Sequence, residues 1–406
     1  MKPIVIILLT MYALISCSTL QDRISVSELK RNPNLEIINL DKSDITEAIK
    51  FSSVLGKPKT IVLETDNNCI IKEIRQIELF QDRIYLLDDE SNQLYVFDMK
   101  GHYLHSIGEP GHAQGEYLEI SDFSIDRNTK KIYVWYEAKD KALKFDIKTG
   151  KYLSSISTDR NGERTFAMLH YNKRLYLNRT TSNNDTKYHI KEIDEDSGQQ
   201  IASYLESDRY NNGWNCPMRL SCNFFYCKNH NEPKYVEMFS DTIIGFTHKG
   251  IMPAYAIQCK DFIKKEDVET IKGNSSLNSG YYDFSKINDS DIVYQISNVA
   301  EFKNILTFQF MRGINRKYIV YDKKNKQSIV ADIFCNDYIY DKNVIPMEIL
   351  FSDKKYAISA IRPAYMKYFF DNIVSKGLIK RDIDNYEALM NIHEDSNPVL
   401  FLHEYK

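Results

Sequence analysis

Residues 94–107 read Leu-Tyr-Val-Phe-Asp-Met-Lys-Gly-His-Tyr-Leu-His-Ser-Ile, and residues 143–156 read Leu-Lys-Phe-Asp-Ile-Lys-Thr-Gly-Lys-Tyr-Leu-Ser-Ser-Ile. In both, an apolar run ends at an Asp, a glycine-bearing turn follows, and a second apolar run begins. Asp194, in the copy that spans Ile193 to Leu205, stands as far beyond Asp146 as Asp146 stands beyond Asp98. Looser copies occupy Ile244–Gly250 with Ala254–Ile257, and Tyr318–Ile333 with Asp322 at its turn. Gly and Asn tolerate positive φ, and β-branched and aromatic residues suit a pleated sheet. Each copy therefore predicts a strand, a tight turn and a second strand.

Upstream of the first three hairpins lie Ile84–Asp88, Ile132–Trp135 and Leu175–Asn178, and before those Ile74–Ile77, Phe123–Asp126 and Phe166–His170. Each period thus carries four short strands. Four antiparallel strands per unit of about 40–50 residues is the pattern of a β-propeller blade, which must pack face to face with its neighbours. The fold class is all-β. A chain of 406 residues can bury a large core, and 28 Tyr against 2 Trp leans towards sheet. A net charge of −3 gives no electrostatic case for nucleic acid, so no nucleic-acid partner is expected.

The first residues carry a separate message. Lys2 precedes an apolar run from Ile4 to Ile15, too short to span a bilayer comfortably but suited to a signal peptide. The run ends in Leu14-Ile15-Ser16-Cys17, which resembles the lipobox of bacterial lipoproteins. That resemblance implies cleavage after residue 16 and lipidation of Cys17, with the lipid as a membrane anchor. The plainer readings are a secretory signal with a chance Cys, or a short membrane anchor. Ser18 stands where inner-membrane retention would place Asp, so the resemblance favours the outer membrane. A periplasm-facing domain is the first expectation, with surface exposure left open.

Residues 84–117, with Ile84-Tyr-Leu-Leu-Asp88, Gly101, Gly108, Gly111 and Gly115-Glu116-Tyr117, resemble the NHL-type repeat. The chain is similar to the NHL/TolB-like six-bladed β-propeller lipoproteins of Gram-negative bacteria, which implies six blades. Those usually carry Gly-Pro-Gly-Glu where this chain has Ala113-Gln114-Gly115-Glu116. Leu63-Glu64-Thr65 and Asn397-Pro398-Val399-Leu400-Phe401-Leu402 match the same family. The expected organisation is a signal peptide at 1–16, a tether at 17–35 and the propeller at 36–406. Within it, 258–292 reads as a surface insertion and 364–392 as a helical decoration. An open ring would leave two bare sheet edges, so Glu36–Leu40 or Thr60–Leu63 should share a blade with Val399–Leu402.

The chemistry-bearing residues read mostly as structure. Asp88, Asp98, Asp146, Asp194 and Asp322 are candidate ligands of a metal propeller, but repetition at strand ends points to acceptors of turn amides. The nine histidines (His102, His105, His112, His170, His189, His230, His248, His393 and His403) show no shared blade position. Cys216, Cys222, Cys227 and His230 do not have common zinc spacing; with Cys69, Cys259 and Cys335 they read as buried thiols or a local disulfide. Trp135 and Tyr136 read as core, and the loop Gly108–Tyr117 as an interblade connection, since no helix follows to supply a dipole for phosphate. No catalytic residue, metal ligand or cofactor is assigned. The expectation is a lipid-anchored binding or scaffold propeller that presents an end face to a protein partner or a glycan-related ligand. The alternative is a metal-dependent propeller hydrolase or lyase with its site in the central channel.

Overall fold

The hairpin Asp recurs because its carboxylate ties its own turn. Asp98 accepts from the amides of Lys100 and His102, Asp146 from Thr149, Asp194 from Ser197, and Asp322 from Lys324 and Asn325. These bonds hold the four carboxyls below the ordinary Asp range. The turn glycines have two duties. Gly101 and Gly198 adopt φ of +94° and +71°, and a Cβ on either would sit 2.2 Å from a carbonyl of the preceding blade, Val62 or Ser157.

The computed structural model describes residues 25–26, 28–183, 185–220, 224–273, 282–340 and 347–406; Cys17 and Cys222 lie outside them. Six antiparallel sheets of four strands form a propeller ring. From the axis outwards the strands are called A to D. Blade 1 is Ile74–Phe80, Arg83–Asp88, Gln93–Asp98 and Tyr103–Ser106. Blade 2 is Asp122–Asp126, Lys131–Tyr136, Lys141–Asp146 and Tyr152–Ser157. Blade 3 is Glu163–Tyr171, Arg174–Thr181, Tyr188–Asp194 and Gln200–Glu206. Blade 4 has short inner strands, Phe225–Tyr226 and Lys234–Tyr235, then Thr242–Thr247 and Gly250–Gln258. Blade 5 is Val293–Glu301, Ile305–Arg312, Asn315–Asp322 and Gln327–Cys335. Blade 6 takes Ile349–Ser352, Tyr356–Ile361 and Val399–Glu404 from the C-terminal part, and Lys59–Val62 as its D strand.

Ring closure therefore uses the second of the two expected N-terminal segments. The other does something different. Before reaching blade 6 the chain adds a fifth, parallel strand to three outer edges in turn. Ser25–Val26 pairs with Ala202–Ser203, Glu36–Asn39 with Tyr255–Gln258, and Asp44–Lys50 with the strand from Ile329 to Cys335. This lace corrects the expected tether at 17–35, because the ring already holds Ser25–Val26, and Asn32 donates to Pro253 O. Parallel pairing satisfies edge groups that would otherwise face solvent.

Two further expectations meet the structure differently. The stretch 258–292 holds helices Lys265–Gly273 and Ser285–Asn288. It is not only surface, because Val268, Ile271, Tyr282 and Ile287 are buried in the core cluster around Trp214. The stretch 364–392 is helical at Pro363–Phe369, which continues into a π turn at Phe370–Val374, and at Tyr386–Met390. Met366, Phe369, Ile373 and Leu389 bury that decoration between blades 5 and 6.

Alternating strand direction gives the ring two unlike ends. The turn face carries the A–B turns, with the C–D hairpins tilting towards its rim. The connection face carries the B–C turns, the interblade connections and the helices. There the two terminal stretches that resemble the lipoprotein family come together. Buried Asn397 donates to Glu64 O and Cys69 O, both at 2.6 Å, accepts from Ile71 N at 2.8 Å, and its amide donates to Thr65 Oγ1 at 2.8 Å.

Candidate functional site

A strands of separate blades bring polar groups to the axis. Lys228 of blade 4 donates to Asp122 Oδ1 at 2.6 Å and to Phe123 O at 2.9 Å, both in blade 2. Gln76 of blade 1 donates to Phe123 O at 3.0 Å and to Glu78 Oε1 at 3.1 Å. Together they bound a cavity of about 60 Å³ lined also by Arg75, Cys227, Asn229, Val299, Ser352 and Arg362. That volume suffices for a few water molecules. Glu78 Oε2 and Asn229 Nδ2 are buried without a partner among the described residues. Burial pushes the Glu78 carboxyl up to about 7, against the pull of Lys228 and Arg127. Burial likewise pushes the Cys227 thiol to about 11.

The axial cavity shares Leu350 and Arg362 with a cleft of about 490 Å³ between blades 5 and 6 on the connection face. The B–C turn of blade 5 supplies one lip, with Ile314 67% exposed, and the helix Pro363–Phe369 supplies the other, with Tyr365 53% exposed. Between the lips Arg316 pairs with Glu348 at 2.9 Å, and Arg362 lies 3.9 Å from Glu348 and 3.5 Å from Glu73. Burial raises the Glu73 carboxyl, and Arg362 opposes it. Arg362 donates to Ile74 O at 3.1 Å, while its Nε is buried with no partner among the described residues. An apolar rim around a few planar charged groups is the usual make-up of a small-ligand site.

Of the candidate chemical residues singled out by sequence, Cys227 lines the axial cavity, and the others fall elsewhere. The hairpin Asp residues are spread around the ring, and Asp88 caps the start of blade 1 by accepting from Lys72, Glu73 and Ser91 amides. Among the described residues no histidine lines the axial cavity. His170 stacks on Tyr133 at 4.2 Å and meets Glu195 at 3.0 Å, and His403 bonds Gly56 O at 3.0 Å. His189 stands 3.1 Å from Ser207 Oγ and 3.5 Å from Glu237 Oε2, the order of a hydrolytic triad. All three are buried, however, and Ser207 donates to Thr186 O at 2.5 Å, so the hydroxyl is engaged in structure. Burial holds His189 down to about 4. Cys216 and Cys227 are free thiols in separate places, Cys216 in the Trp214 cluster and Cys227 at the axis. Trp135 and Tyr136 are core. Among the described residues no three His, Cys, Asp or Glu side chains are grouped to hold a metal ion.

A family model described as a domain of unknown function, DUF4934, matches residues 35–404. The chain belongs to that family. The match spans the lace strands on blades 4 and 5, the closing D strand of blade 6 and the last strand, so the family includes the lacing as well as the blades. No curated protein matches. Among solved structures, an exported protein of Bacteroides fragilis is similar at a TM-score of 0.68 and 17% identity, over 91% of this chain and 99% of that one. A member of the DUF4221 family from Bacteroides vulgatus gives a TM-score of 0.49 at 9% identity, over 87% and 97%. At such identities the likeness speaks for the fold alone.

The cleft was not foreseen, though signals for it exist. Ile314 is an apolar residue in a Gly-Ile-Asn turn, where polar residues are usual. Tyr365 and Tyr368 face out from a short helix whose Met366 and Phe369 face in.

Proposed function

We propose that this propeller is an exported, lipid-anchored binding protein, tethered through Cys17, whose blade 5–6 cleft receives a glycan segment. The observation that carries the reading is the pairing of the exposed Tyr365 ring and Ile314 with Arg316, Glu348 and Arg362 across one cleft. The apolar face of a sugar ring packs on an aromatic, and neighbouring hydroxyls bond a guanidinium and a carboxylate. Export and outer-membrane residence rest on the lipobox-like Leu14–Cys17 stretch. Labelled palmitate should enter the full chain and not Cys17→Ala; incorporation into that variant would refute the anchor. Glycan-array screening followed by calorimetry should find a ligand that Tyr365→Ala loses about tenfold or more, at an unchanged melting temperature. Equal binding by Tyr365→Ala and Arg316→Ala would remove the cleft from consideration.

One observation favours the enzymatic alternative. Glu78 is a carboxyl near neutrality facing a polar void, which suits a general acid. Turnover of lactones, amidated glycines or glycosides that disappears in Glu78→Gln, with one tightly held metal per chain, would transfer the function to the axis.

A further inference from the structure

The turn face is not electrostatically uniform. In blades 1 to 3 the hairpins carry Asp98, Asp146 and Asp194, with Glu195 and Asp196 beside the last. In the sector of blades 4 to 6 the balance breaks. Two cavities of about 410 Å³ each open there and share Glu232, Lys234 and Glu301. Half-buried Glu301 is fully engaged: it takes Lys234 and Lys323 at 2.9 Å each, and the Tyr255 hydroxyl. Burial alone would raise this carboxyl, but the two lysines hold it at about 2. Asp322 and Asp353 each give Oδ1 to their own turns, to the amides of Lys324 and Asn325 and of Lys355 and Tyr356. Arg31, Lys249, Lys303, Lys324 and Lys354 are left around them, all exposed, with no acidic partner within ion-pair distance among the described residues. Glu232, exposed at the wall the two cavities share, and Asp44 and Glu47 on the blade 5 lace strand are the exposed acids of this sector, so these five cations outnumber them.

A second observation lies at the rim of the same sector. The lace strands on blades 4 and 5 hold Ile37 at 62% exposure and Ile45 at 88% in solvent, and Leu35, just before the first of them, is 39% exposed. Polar residues would serve equally well in an edge strand whose only duty was to cover a sheet. Cations beside exposed aliphatic side chains are the two ingredients of interfacial membrane binding.

We infer that the turn face of blades 4 to 6 is a docking surface for an anionic lipid bilayer, with the lysines over the headgroups and the lace isoleucines at the interface. Docked this way, the ring turns its connection face, with the blade 5–6 cleft, away from the bilayer. The inference stands whether or not Cys17 is lipidated and whatever the cleft binds.

The test is co-sedimentation of the full chain with vesicles of phosphatidylcholine alone, or with a third of the lipid replaced by phosphatidylglycerol. The apolar run Ile4–Ile15 adds equally to both, so the readout is the excess on anionic vesicles. That excess should be about tenfold or more at low salt and vanish at high salt. The triple variant Lys303→Glu, Lys324→Glu, Lys354→Glu should abolish it. Lys139→Glu, Lys187→Glu, Lys286→Glu, the same charge change on the connection face, should keep it. Ile45→Asp should weaken binding without changing the salt dependence. Soluble glycerol phosphate should not displace the protein. Absence of the excess, equal loss in the connection-face variant, or full displacement by glycerol phosphate would each overturn the inference.

Discussion

The two ends of the ring use one device, a side-chain amide or carboxylate bonding backbone groups, at opposite depths. On the turn face Asp98, Asp146, Asp194 and Asp322 hold the exposed hairpins of blades 1, 2, 3 and 5. On the connection face Asn397, 2% exposed, hydrogen-bonds the approach to the last strand to the chain running from Glu64 to Ile71. Water can replace the bonds of an exposed Asp but not those of a buried Asn. The turn face is therefore built of repeated, individually weak pieces, and the connection face of a few strong ones made once. That frees the connection face to vary from blade to blade, and the cleft lies there.

The sharpest way to break this contrast is Asn397→Ala. It strands two carbonyls and one amide in the interior and should cost about 3 kcal/mol or more, read from the urea midpoint. A loss under about 1 kcal/mol would place the two faces on one footing. Next comes the axis, which belongs to neither face. The Glu78 carboxyl is pushed from 4.5 to about 7 in the folded protein, so folding favours its protonated form. Its contribution is fully present below about pH 4.5 and is lost as pH rises through about 7, a fall of roughly 3 kcal/mol. Glu78→Gln should flatten that part of the stability profile; a slope surviving in the variant would assign it to another group.

Asp146→Ala should cost only about 1 kcal/mol, and adding Asp98→Ala and Asp194→Ala should sum nearly linearly because the sites are far apart. These carboxyls are depressed in the folded state, so their contribution is present above the ordinary Asp range and fades as pH falls below it. Strong non-additivity would show that the hairpins communicate through the ring. Smallest of all, Tyr365→Ala should shift stability by no more than about 0.5 kcal/mol, because its ring lies in solvent; a larger loss would make the cleft's lip part of the core.

Legibility in the sequence follows the same division. The hairpins could be read because Asp, Gly and the flanking aliphatic residues announce a turn at every period. Closure by either Glu36–Leu40 or Thr60–Leu63 could be read because an unclosed ring is costly; which of the two closes it could not. The lace could not, because Glu36-Ile-Ile-Asn39 carries no turn signal and its partner Gln258 is 219 residues away. The cleft could not, because Ile314, Glu348 and Tyr365 belong to different elements that only the packing of blades 5 and 6 brings together. The axial Glu78 looked like any polar residue in an alternating strand.

The lace also bears on how the chain reaches its final form. Synthesis delivers residues 25–62 first, yet their partners lie between residues 202 and 404. These strands wait in turn for partners that begin at residues 202, 255 and 329, and the last of them waits for residue 399. Contacts so distant along the chain form slowly. The lace strands must settle after the outer edges they cover, and the final blade cannot seal before Val399–Glu404 arrives. The ring is thus fastened from the beginning of the chain at the end of folding. A polypeptide interrupted anywhere before its last strand stays unlatched, with open sheet edges for proteases and chaperones to find.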